Sequence, residues 1–61
     1  MNEPMNNTTV VIYKLEGTRQ LVVSTGSEEY FFIEMADAQR FARMLAPMQD
    51  FFEVKPVVMA A

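Results

Sequence analysis

The spacing of apolar positions changes period along the chain, and the changes mark the elements. Thr8 to Glu16, TTVVIYKLE, is a run of β-branched and aromatic residues, the composition of a strand. Gly17-Thr18 follows, and a glycine at the first central position suits a two-residue type II′ turn. That register sets Ile12 opposite Val23, Tyr13 opposite Val22 and Glu16 opposite Arg19. A turn at Glu16-Gly17 would instead set Lys14 beside Arg19, and like charges directly opposite are unfavourable. Gln20 to Thr25, QLVVST, is the second strand, and Thr25-Gly26-Ser27-Glu28 is a turn cluster.

Tyr30 to Leu45 reads as a strand running straight into a helix. Tyr30, Phe31, Phe32 and Ile33 fit a pleated surface. From Ala36 the period lengthens: Ala38, Phe41, Ala42 and Leu45 fall at i, i+3, i+4 and i+7, one stripe of an α-helix. Asp37 in the first turn and Arg43 near the last suit the helix dipole. Pro47 stops the helix, because the residue before a proline is pushed out of the α region. No Ser, Thr or Asn caps the start, which falls at Met35, Ala36 or Asp37. After a connector at Met48-Gln49-Asp50, Phe51 to Met59 reads as a last strand. Phe52, Val54 and Val58 share one of its sides. Pro56 cannot donate a ladder hydrogen bond, so an edge position is predicted.

The order is therefore β-β-β-α-β. The expected class is α+β: a small antiparallel sheet of three to four strands with one helix packed on one face. Residues 1–7 are expected to be a flexible tail, 8–59 a single domain and 60–61 a second tail.

One short helix leaves a covering problem. If Val10, Ile12, Leu21 and Val23 face it, the pleat sends Val11, Tyr13, Leu15 and Val22 the other way. One of Phe31 and Phe32 follows them, and one of Phe51 and Phe52. Strands apolar on both sides belong to a sheet covered twice. Burying each such side chain is worth roughly 1.5–3 kcal/mol, and soluble monomers seldom leave large apolar patches bare. The second face is therefore expected to be an interface, with Tyr13, Val22, Phe31 and Phe51 as contact residues. The other way to cover it is with the N-terminal tail or the twist of the sheet.

Composition sharpens this. The 61 residues contain no Cys and no His, which removes disulfides and zinc sites of the Cys/His kind. So small a core usually needs some added constraint, and association is the one left. Eight acids against five bases give a net charge of −3, which disfavours general binding to nucleic acid or anionic membranes. No charge-free run is long enough to span a bilayer. MNEPMNNTT has neither a basic nor an apolar region, so no signal peptide is expected and the cytoplasm is the expected location.

Catalytic chemistry is not expected. The usual nucleophile–base pairs need His, Cys, or Lys beside Ser. No metal or cofactor site is expected either. Ser24-Thr25-Gly26-Ser27 lacks the lysine of a phosphate loop and reads as a polar hairpin turn. Glu28, Glu29, Glu34 and Asp37 read as a solvated acidic rim, and Arg40 with Arg43 as exposed helix charge.

Tyr30 to Met35 looks like the central strand of an RNA recognition motif. However, Glu28 and Glu29 stand where that motif wants a basic residue and glycine. Met35 replaces its last aromatic, and the likeness stops at about six residues, too short to carry homology. The expected function is a small, acidic, non-enzymatic interaction module, acting as a homodimer or on a partner protein. The alternative is a nucleic-acid binder using strand aromatics with Lys14, Arg19, Arg40, Arg43 and Lys55.

Overall fold

The structure, a computed structural model, describes residues 9–58. The tails expected at 1–7 and 60–61 lie outside the described residues. The elements are β1 (Val11–Glu16), β2 (Leu21–Ser24), β3 (Glu29–Phe32), α1 (Met35–Leu45) and β4 (Val54–Val58). They form one four-stranded sheet, in the order β3-β2-β1-β4, with the helix against it. Class and chain order are those read from the sequence.

The sheet is mixed rather than wholly antiparallel. β1 pairs antiparallel with β2, and β2 with β3, but β4 runs parallel to β1. The reason is topological. β3 runs parallel to β1, so a strand that follows one helix laid back over the sheet resumes the direction of β3 and therefore that of β1. Parallel pairing needs such a crossover, and residues 33–53 supply it.

Hairpin register follows the sequence reading, with Ile12 opposite Val23 and Tyr13 opposite Val22. The turn itself differs. Its closing bond runs from Thr18 N–H to the Leu15 carbonyl (3.1 Å), which makes Glu16 and Gly17 the central pair. Gly17 takes φ 88°, the position at which a type II turn needs a glycine. Thr18 Oγ1 donates to the Leu15 carbonyl (2.8 Å) and accepts from Gln20 N–H (3.1 Å). The hydroxyl spans the extra residues, so the loop lengthens while the strand register holds.

The core lies between sheet and helix. Val10, Ile12, Leu21, Val23, Ala38 and Ala42 are buried, with Tyr30, Phe32, Met35, Phe41, Ala46 and Phe52 packed around them. The two alanines let α1 approach the sheet closely. Phe41 lies against Tyr30 and Phe32, with ring centroids 4.8 and 5.3 Å away, within the range of favourable aromatic pairs. Leu45, expected on the buried stripe, is exposed at the end of the helix. Ala46 takes the last inward position. Glu34 occupies the N-cap with an extended backbone and no side-chain cap bond. Ala46 N–H closes the other end on the Ala42 carbonyl (2.9 Å), just before Pro47.

Candidate interaction surface

Side chains on the sheet face opposite α1 follow from the register. Cross-strand partners share a face, and the partners Phe31–Val22, Val22–Tyr13 and Tyr13–Lys55 form one row across all four strands. Leu15 and Val57 form the next row on the same face. On the other side, Val11 pairs with Ser24, and Ser24 with Glu29. The centre of this face is apolar and its margins carry Glu29 and Lys55. Among the described residues, no element packs on it: the helix contacts β1, β2 and β3 from the core side only.

Three of the residues expected at an interface, Tyr13, Val22 and Phe31, are thus brought together. They are not equivalent. Phe31 is 60% exposed, whereas Val22 is only 6% exposed and forms the floor between its two aromatic neighbours. Phe51 stands apart. It precedes β4, where the pleat no longer governs direction, and lines an open groove with Ala36, Gln39, Arg40, Arg43 and Phe52. It is 72% exposed there.

The basic residues do not share a face. Arg40 is paired with Asp37 (3.1 Å). Arg43 donates to the Gln49 carbonyl (2.6 Å), with its guanidinium 4.8 Å from the centre of the Phe52 ring. Lys14 and Arg19 line a separate groove beside Ile33 and Met35. Lys55 alone lies in the Tyr13–Phe31 row.

The Ser24–Glu28 turn uses its own polar groups. Ser24 Oγ accepts from Gly26 N–H (3.2 Å), and Thr25 Oγ1 accepts from Ser27 (3.4 Å) and Glu28 (3.1 Å) N–H. Gly26 takes φ 100°. The amides that would cradle a phosphate already have partners. Beside this turn, the Tyr30 hydroxyl donates to the Glu28 carboxylate. That hydrogen bond is the main reason the phenol pKa is raised above its ordinary value of 10.0; burial and the negative charge of Glu28 add to it.

Among the described residues, no group of three or more carboxylates is placed to hold a metal ion. No helix among them is long and apolar enough to cross a membrane. Comparison of the chain with protein-family models, with curated proteins and with solved structures finds no match.

Proposed function

We propose that the protein is a small non-enzymatic interaction module. It engages a protein surface, either a second copy or a different chain, through the sheet face opposite α1. The observation that carries this reading is the Phe31–Val22–Tyr13 row, extended by Leu15 and Val57 on a face that no other described element covers. Removing such a surface from water is favourable at about 25 cal/mol per Å². A domain of this size has few other sources of stability. A cytoplasmic setting belongs to the same reading, and the absence of cysteine is compatible with it. The role would be that of an inhibitor, adaptor or regulatory subunit. The nucleic-acid alternative is weakened by the scatter of the bases over both faces, because electrostatic capture of a phosphate backbone needs them grouped.

Analytical ultracentrifugation at micromolar concentration, with binding of an apolar dye measured alongside, tests the proposal. Self-association, or a monomer that binds the dye, is expected. Phe31→Asp is expected to abolish either one while leaving the circular dichroism spectrum unchanged. A strictly monomeric protein with no affinity for the dye overturns the reading.

A further inference from the structure

Hydrogen-bond parity shows which main-chain groups the sheet leaves over. Thr25 N–H donates to the Glu28 carbonyl (3.0 Å). In an antiparallel ladder, bonded pairs alternate with unbonded ones, so the β3 residues turned toward β2 are Glu28, Tyr30 and Phe32. The groups of Glu29 and Phe31 point outward, and so does the N–H of Ile33 just past the strand, because the trans peptide sets it opposite the Phe32 carbonyl. At the opposite edge, Ile12 N–H donates to the Glu53 carbonyl (3.0 Å). Residues 53, 55 and 57 therefore face β1, while Val54, Pro56 and Val58 point outward.

The two edges are unlike. Pro56 stands at the centre of the outward set on β4, where it has no N–H to offer. This explains why a proline is tolerated inside a paired strand, and it blunts that edge against strand addition. On β3 both outward residues, Glu29 and Phe31, keep donor and acceptor, and among the described residues nothing pairs with them or with the Ile33 N–H just past the strand. Phe31 and Ile33 are also 60% and 56% exposed.

Charge selects the occupant. Between Gln20 and Gln39 the chain carries Glu28, Glu29, Glu34 and Asp37 and no base. Glu28, Glu29 and Glu34 are exposed along the β3 segment. A second copy paired antiparallel about Phe31 would set Glu28 against Glu34 at both ends, like charges facing each other across the ladder. A strand with basic residues gains where that one loses. Lys14 and Arg19, in the groove beside Ile33, leave the Glu28–Glu29 end as the more acidic.

We propose that the free edge of β3 accepts an extended segment of a partner protein, with basic residues where it passes Glu28 and Glu29. Main-chain bonds to Glu29, Phe31 and Ile33 supply the affinity, and the acids supply the selectivity. This goes beyond the face reading, because it concerns the backbone of one edge and not the side chains of the face.

The test is amide hydrogen exchange by NMR on the full chain. The probe is a capped peptide of alternating valine and threonine with a lysine at each end; its counterpart carries glutamate at each end. Near saturation, the basic peptide is expected to slow exchange at Glu29, Phe31 and Ile33 about tenfold. Tyr30 and Phe32, already bonded to β2, stay as they were. Glu29→Lys is expected to weaken the basic peptide roughly fivefold. Four results overturn the proposal: equal protection by both peptides, protection at Val54 and Val58 instead, no protection anywhere, or protection without peptide that grows with protein concentration. Shifts confined to Tyr13, Leu15 and Val57 would also overturn it, while leaving the face reading standing.

Discussion

The side-chain amide of Gln49 pairs with both main-chain groups of Val10. Gln49 Oε1 accepts from Val10 N–H (3.0 Å) and Nε2 donates to the Val10 carbonyl (2.9 Å). Nε2 also donates to the Phe51 carbonyl (2.8 Å). One side chain thus acts as a missing ladder residue beside the start of β1 and ties the connection between α1 and β4 to it.

Replacing this amide by a carboxylate keeps the shape and removes two donors. Gln49→Glu is expected to cost about 2 kcal/mol at neutral pH, because two carbonyls lose their partner and one faces a negative charge. Part of the loss should return below about pH 4, where the new carboxyl is protonated. Urea midpoints of the two proteins at both pH values check this; equal midpoints would show that the tether is dispensable.

Tyr30 makes stability depend on alkaline pH. Its phenol pKa is raised in the folded protein by the bond to Glu28, so the folded state holds this proton more tightly than the unfolded chain does. That contribution is complete below about pH 10 and is lost as pH rises through the raised folded value. Denaturation at about pH 8 and about pH 11 should show a larger loss for the parent than for Tyr30→Phe. Identical slopes for the two would refute the linkage.

Ala38 and Ala42 are fully buried at the contact of α1 with the sheet. A leucine there has no space and must push the helix outward. Ala38→Leu and Ala42→Leu are each expected to cost roughly 1–3 kcal/mol. Ala36→Leu, on the exposed side, should stay within about 0.5 kcal/mol of the parent. Thermal unfolding of the three distinguishes a tight contact from a loose one.

Pro56→Thr restores an outward N–H to β4 and makes that edge a complete template. The variant is expected to gain concentration-dependent association through β4, visible as a rise in light scattering. No change would mean that the edge is protected by something other than the proline.

Much of this architecture was legible in the sequence. Runs of β-branched and aromatic residues over Thr8–Glu16 and Gln20–Thr25, and a period near 3.6 from Ala38, located the elements. The hairpin register followed from keeping Lys14 and Arg19 apart. The pleat and the hairpin register put Tyr13 and Val22 on one face but left open which of Phe31 and Phe32 joins them; the pairing of β2 with β3 makes it Phe31. Three things were less accessible. The direction of β4 is a property of the whole path, since it depends on β3 and β1 being parallel at a distance. The Gln49 tether joins residues 39 apart, and a glutamine in a connector carries no local mark of its partner. Phe51 was assigned by strand alternation, which does not extend to a residue before the strand begins.

The parallel pairing of β1 with β4 also has a mechanical consequence. Ile12 lies beside Val54 at one pole and Glu16 beside Val58 at the other, so the described segment enters and leaves the sheet at opposite poles. Tension applied at residues 10 and 58 would slide the first strand along the last and strain every rung between them together, instead of peeling them apart singly. A chain held at those points should resist force far better than its modest size suggests.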